Sequence, residues 1–204
     1  MKRVIVATRN DGKIKEFMEF FAPLGIEVFS LKDLNDNTNI VESGRTFEEN
    51  ALIKAREIAK RYQMDCIADD SGLEVDALGG APGIHSARYA GDHDHEANNA
   101  RLLKELEGLP FEKRTARFVC ALAYVTRDFK EYVVRGTVEG YIWFECRGTN
   151  GFGYDPLFYL PSLNKTFAEL SMHEKQAISH RGHALEKIKN ILMGESDESN
   201  NRRE

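Results

Sequence analysis

Two stretches of this chain combine residue types able to handle phosphate and metal. Thr8-Arg9-Asn10-Asp11-Gly12-Lys13 lies between an apolar run, Val4 to Ala7, and a helical pattern. Free backbone N–H groups at a helix start, a flexible Gly12 and the cationic Lys13 suit a phosphate group. The stretch is not a Walker A loop, because Ala7 holds the first glycine position and Ile14 the Ser/Thr position. An ordinary polar turn explains the same residues. Asp69-Asp70-Ser71-Gly72 follows the short apolar run Cys66-Ile67-Ala68, at the carboxyl end of an expected strand, where open α/β sheets bind ligands. Neighbouring strand residues point to opposite faces, so one aspartate can serve a site and the other the fold. Clustered carboxylates can hold Mg²⁺ or poise a water, although a turn with one aspartate capping N–H groups fits equally. Glu42 joins this chemistry only if its loop, just ahead of Thr46, folds beside Asp70.

Two further stretches could grip a planar ring. The glycine-rich segment Gly148 to Pro156 carries Phe152, Gly153, Tyr154 and Asp155. An aromatic side chain there can stack on a base, and an aspartate can accept from a ring N–H; the alternative is an aromatic that pins a long loop to the core. Lys175 and Ser179-His180-Arg181-Gly182 supply cations for a phosphate or a carbonyl oxygen, or else form a helix junction with solvated charges. The other histidines, His85, His93, His95, His173 and His183, have no metal-ligand spacing and read as surface or structural groups.

Holding these stretches requires a sheet with helices on it. Val4–Ala7 reads as a buried strand, and Ile14, Phe17, Met18 and Phe21 as the apolar stripe of a helix ended by Pro23 and Gly25. A second strand is expected over Ile26–Leu31. Thr46 and Glu49 form a capping box for a helix with Phe47, Ala51, Ala55, Ile58 and Tyr62 on one face. Leu73–Val75 is expected to be a separate strand after the Asp-Asp turn, and Glu96–Leu106 a helix. Arg117–Val125 and Glu131–Val138 read as an antiparallel pair, since so short a connection cannot join parallel strands. Helical patterns return at Phe167–Leu170 and Ala184–Met193. This order predicts one α/β domain over residues 1–193, a mixed sheet flanked by helices, with a disordered tail over 194–204.

At 204 residues with 42% apolar content the chain can bury a real core. Lys plus Arg, 28, minus Asp plus Glu, 33, leaves −5, which argues against a general nucleic-acid coat or polybasic membrane binder. The three cysteines form no CxxC pair and read as buried small hydrophobes in a reducing compartment. No run approaches the ~18 apolar residues of a membrane span, and Val4–Ala7 is too short for a secretory signal, so the cytoplasm is expected.

Taken together, Thr8–Lys13, Thr46-Phe47-Glu48-Glu49-Asn50-Ala51, Ala68–Leu73, Leu78–Tyr89, Gly151–Pro156 and Ser179–Gly182 occur in an order that resembles the inosine/xanthosine triphosphate pyrophosphatase family, over roughly Val4 to Leu192. The resemblance implies an elongated mixed sheet with two lobes, a substrate cleft between them, a homodimer and a Mg²⁺-dependent reaction in which a nucleoside triphosphate and water give monophosphate and pyrophosphate. It implies that Thr8, Arg9, Asn10, Asp11, Gly12 and Lys13 meet the triphosphate, and that Glu42 and Asp70 hold Mg²⁺ with Asp70 as proton acceptor. It further implies that Ser71, Phe152, Gly153, Tyr154, Asp155, Lys175, His180 and Arg181 complete the substrate site. Arg9 adds a cation where relatives often carry a small or neutral residue.

On that footing, Lys13 and Lys175 would offset charge on departing pyrophosphate. Arg181 or His180 donating to a 6-oxo group would reject adenine, whose 6-amino group is itself a donor. Two other readings are weaker: a Maf-like pyrophosphatase for other modified nucleotides, against which Phe152–Asp155 and Ser179–Gly182 speak, and a catalytically silent nucleotide sensor, against which the intact Lys13, Asp70 and Lys175 speak.

Overall fold

The computed structural model describes the backbone of residues 2–200 and the side chains of residues 2–194. The sheet has seven strands in the order β2-β1-β3-β4-β5-β6-β7. Strand β1 (Lys2–Val6) is parallel to β2 (Ile26–Ser30) on one side and to the start of β3 (Cys66–Val75) on the other; every later pairing is antiparallel. The βαβ crossovers fill the first half with α1 (Asp11–Phe21) and α2 (Phe47–Tyr62). The hairpin of β4 (Thr115–Val125) and β5 (Glu131–Ile142) then carries the sheet into the second half, where short β6 (Phe158–Leu160) and β7 (Lys165–Thr166) finish it.

Three apolar clusters hold this frame. One packs α2 through Ala51, Ala55 and Ile58 against Ile5, Ala68 and Val119. On the opposite face, Phe17 and Phe21 of α1 and Leu185 and Ile188 of α5 (His180–Asn200) cover Val4, Val6 and Leu122. In the far half, α3 (His95–Glu105) places Leu102 against Leu73, Phe118 and Phe158. Helix α2 starts at Thr46, whose hydroxyl accepts from Glu49 N at 3.1 Å. The Glu49 carboxylate takes the Arg45 N–H instead of the Thr46 N–H, so only half of the expected capping box forms.

The structure departs from the sequence reading at several places. Cys66–Val75 is one continuous strand of 10 residues, because β4 pairs with it throughout, from Cys66↔Val125 to Val75↔Ala116. The two aspartates therefore sit in mid-strand, just past the end of β1, whose last pairing with β3 is Val6↔Ile67. In α1, Met18 is 42% exposed while Glu16 is buried, since the flank beside Phe17 faces cations and not apolar side chains. Helix α4 (Met172–Ile178) carries too few apolar residues for periodicity to reveal, and the ladders of β6 and β7 are too short. Cys146 is exposed rather than buried. Helix α5 runs on to Asn200 where the sequence reading had a disordered tail from residue 194: a helix already nucleated by Ala184, Leu185, Ile188 and Leu192 extends at little cost. Residues 201–204 lie outside the described residues.

Candidate active site

The turn after β1 leads straight into α1, and Asn10 caps that helix with its side chain on the Lys13 N–H at 3.1 Å. This aims Lys13 across the end of β1 at β3. Because β3 runs unbroken, its alternation sends Asp69 to the α1/α5 face and Asp70 to the α2 face. The two carboxylates consequently live in different electrostatic surroundings.

Asp69 is saturated with donors. Lys13 Nζ bonds Oδ1, Arg181 Nε donates to Oδ2 at 3.0 Å, and Ser71 and Cys120 add further contacts. Burial opposes ionisation, but Arg181 and Lys13 overcome it and hold the carboxyl well below the usual carboxylate range. From Arg181 the charges alternate onward. Its Nη1 donates to Glu16 Oε2 at 2.5 Å, Lys175 Nζ bonds Glu16 Oε1 at 2.9 Å and Asp155 Oδ2 at 2.7 Å, and Asp155 takes the Phe152 N–H at 2.9 Å. Three cations and three carboxylates thus form one buried chain from the Thr8–Lys13 turn to the Phe152 loop. Burial penalises each charge, yet its opposite neighbours outweigh that for Glu16, held low, and for Lys175 and Arg181, both held protonated.

Asp70 has no such company. Its Oδ2 is buried and has no hydrogen-bond partner among the described residues. Desolvation pushes its pKa up to about 6, with Lys54 and Lys13 opposing and Glu42 adding to the rise. Lys54 Nζ stands 3.0 Å from Glu42 Oε1, 3.8 Å from Asp70 Oδ1 and 2.6 Å from the Asp69 carbonyl oxygen. Burial alone would lower the lysine, but Asp70 and Glu42 hold it protonated.

Between these groups opens a cavity of about 460 Å³, the size of a small-ligand site. Its wall gathers Thr8, Arg9, Asn10, Lys13, Glu42, Lys54, Asp69 and Asp70 with Ser71, Phe152, Gly153, Tyr154, Asp155, Lys175, His180 and Arg181. Two expected site residues are not on its wall. Asp11 turns outward to Lys32 at 2.6 Å. Gly12 acts through what it lacks: a Cβ there would lie 2.3 Å from the Phe152 ring, so the glycine is what lets this ring lean over the turn. Lys175, expected to offset charge on departing pyrophosphate, lines the cavity with its ammonium 4.8 Å from the Phe152 ring centroid and bound to Asp155 and Glu16. Tyr154 holds its loop by donating to the Ser86 carbonyl at 2.7 Å. His93 and His95, read from sequence as surface or structural, stand exposed on the cavity rim.

His180 stacks on Phe118 with ring centroids 4.7 Å apart, and its Nδ1 has no partner among the described residues. Burial, reinforced by Arg181 and Lys175, keeps the imidazole neutral. Arg181 spends three of its five N–H groups on Asp69, Glu16 and Ser71. The other two remain as donors whose direction is fixed by those three acceptors. Sequence reasoning missed Glu16 and Lys54; the order of charges along α1 and α2 carries no mark of which ones turn inward.

A mixed sheet with one cleft lined by cations, carboxylates and aromatic rings defines an α/β protein with a small-ligand site. The chain belongs to the Ham1 family, whose sequence profile matches residues 4–191. It is 53% identical over 189 residues to a dITP/XTP pyrophosphatase of Geobacillus kaustophilus, covering 92% of this chain and 93% of that one. A dITP/XTP pyrophosphatase of Exiguobacterium sibiricum is 54% identical over 191 residues, covering 93% and 96%. Among solved structures, the Staphylococcus aureus Ham1 protein superposes with a TM-score of 0.84 at 44% identity, covering 95% of this chain and all, 100%, of that one.

Proposed function

We propose that this chain hydrolyses deaminated purine nucleoside triphosphates, ITP, dITP and XTP, to the monophosphate and pyrophosphate. The observation that carries this reading is one cavity that gathers Lys13, Lys54 and the buried Asp70 together with Phe152, His180 and Arg181. The relatives named above support the substrate class. Base reading falls to donors: Arg181, which can only donate, suits a 6-oxo acceptor and leaves its N–H groups unpaired against a 6-amino group.

The donor set fits Mg²⁺. The unpartnered Asp70 Oδ2 beside Glu42 offers hard oxygens without a closed ligand cage, and no cluster of three or more His, Cys, Asp or Glu suited to a metal occurs among the described residues. That matches a cation held by one or two carboxylates plus substrate phosphate. Bound by Glu42 and Asp70, Mg²⁺ would neutralise phosphate oxygens and favour in-line attack at the α-phosphorus. Asp70, ionised at pH 7 yet basic enough to take a proton from water, is suited as the general base. Lys13 and Lys54 oppose the negative charge that gathers on the leaving pyrophosphate. Thr8, Arg9 and Asn10 line the same cavity and complete the phosphate contacts.

A homodimer in the cytoplasm belongs to the same reading; no helix among the described residues is long and apolar enough to cross a membrane. The deciding assay measures pyrophosphate release from ITP, XTP, GTP, ATP and dUTP, with and without Mg²⁺. Monophosphate and pyrophosphate from ITP and XTP are expected; orthophosphate with a nucleoside diphosphate would place cleavage at the γ-phosphorus and overturn the reading.

A stacking ring serves every purine alike. Phe152→Ala should therefore weaken ITP, GTP and ATP together by roughly 1–3 kcal/mol. Gly12→Ala should act in the same direction by driving the ring off the turn. Unequal losses among the three nucleotides in kcat/KM would show that Phe152 reads base identity as well.

A further inference from the structure

Asn50 takes no part in the reaction as described, yet its side chain is almost wholly buried, 1% exposed. It stands in the first turn of α2, four residues before Lys54, so both project from the helix face turned to Asp70. Its Oδ1 accepts the Gly44 N–H at 2.8 Å. A backbone N–H only donates, so this contact decides which end of the amide is oxygen and leaves the NH₂ as a donor. The amide is also among the groups that favour the charged form of Asp70.

Gly44 lies two residues beyond Glu42 and rests on the start of α2. A Cβ at Gly44 would come 2.6 Å from Asn50 Oδ1 and 2.9 Å from the Asn50 backbone nitrogen, so the loop lies this close only without a side chain. Residues 31–46 contain no helix or strand, so the loop that presents Glu42 is held by such single contacts: Gly44 to Asn50, Arg45 to Glu49 and Glu42 to Lys54. One amide thus anchors the Glu42 loop with its oxygen, on the helix face from which Lys54 reaches Glu42 and Asp70. Aspartate could keep that contact but would add a like charge near Asp70; alanine would lose it.

We propose that Asn50 is a positioning residue that sets the spacing of Glu42 and Asp70 and thereby the affinity of this pair for a divalent cation. The proposal rests on the reading of Glu42 and Asp70 as the cation-holding pair, and the test separates the two. Mn²⁺ binding to the full chain without nucleotide is titrated by electron paramagnetic resonance for wild type, Asn50→Ala, Gly44→Ala and Asp70→Asn. Partners that orient ligating carboxylates are commonly worth 10–100-fold in metal affinity. Asn50→Ala and Gly44→Ala should each weaken Mn²⁺ binding by about that factor, and raised Mg²⁺ should restore much of their turnover, which it would not do for a damaged fold. Should Asn50→Ala fail to fold, Gly44→Ala decides from the loop side. Unchanged Mn²⁺ affinity in the folded variants, with affinity lost in Asp70→Asn, would overturn the role of Asn50 and leave the carboxylate pair standing. A wild-type chain that binds no Mn²⁺, or an Asp70→Asn chain that binds it as well as wild type, would overturn the pair and the role of Asn50 with it.

Discussion

Asp70→Asn is expected to remove most turnover and, in the metal-free protein, to make the fold harder to unfold. The two effects share one cause. Asp70 is buried, its Oδ2 lacks a partner among the described residues, and desolvation lifts its pKa from 3.8 to about 6. Such a carboxylate is a better proton acceptor than an exposed one, and losing a general base lowers kcat by ~10²-fold or more. Keeping it charged, however, costs the folded state about 3 kcal/mol as an upper bound. The sign follows from linkage. The folded protein binds this proton more tightly than the unfolded chain, so the contribution to stability is present below about 4 and is lost as pH rises through about 6. Asparagine never ionises and escapes the loss. Urea unfolding in the presence of a chelator should therefore give equal stabilities near pH 4 and a more stable variant at pH 7, with the gap opening between those values. A folded Asp70→Asn protein with near-wild-type kcat would shift the proton acceptor to Glu42, since Asp69 is already saturated by Lys13 and Arg181.

The chemistry-bearing turns were legible because each is a local event. A polar turn from Thr8 to Lys13 ahead of a helical stripe, a cap at Thr46 and a glycine-rich loop before Pro156 leave marks within a few residues, and the parallel order of β1, β2 and β3 follows from the helices between them. What sequence could not disclose is pairing across the chain. Glu16 looks like any helix-surface glutamate until Lys175 and Arg181, 159 and 165 residues away, close on it. Lys54 likewise reads as the solvated face of α2, and only the loop carrying Glu42 turns it into a buried charge. The Asp-Asp-Ser-Gly stretch has turn composition, yet the long β4 ladder overrides that preference and keeps it extended. This override has a consequence at the site: both aspartates border the cavity, but the strand sends one side chain into the charge chain and the other toward the α2 face.

That charge chain sets the second large effect. Removing Arg181 would strand Asp69 and Glu16 as buried carboxylates with one cation fewer each, a loss of roughly 3–5 kcal/mol for a broken buried network. Arg181→Ala is thus expected to unfold at much lower denaturant concentration, and its kinetics would mix stability with recognition. Arg181→Lys separates them. A lysine keeps positive charge between Asp69 and Glu16, so the fold should largely survive, but it lacks the planar fork whose three engaged N–H groups aim the remaining two. If those two donors read the 6-oxo group, their loss narrows the ratio of kcat/KM for ITP over ATP, by ~10²-fold or more given what unpaired donors cost the wrong base. Stability measured by urea unfolding should change far less than in Arg181→Ala. A Lys variant that slows ITP, XTP and ATP by one common factor would reduce Arg181 to a structural cation. The 6-oxo group would then be read by His180, whose Nδ1 is buried and unpartnered among the described residues, and His180→Ala should collapse the same ratio.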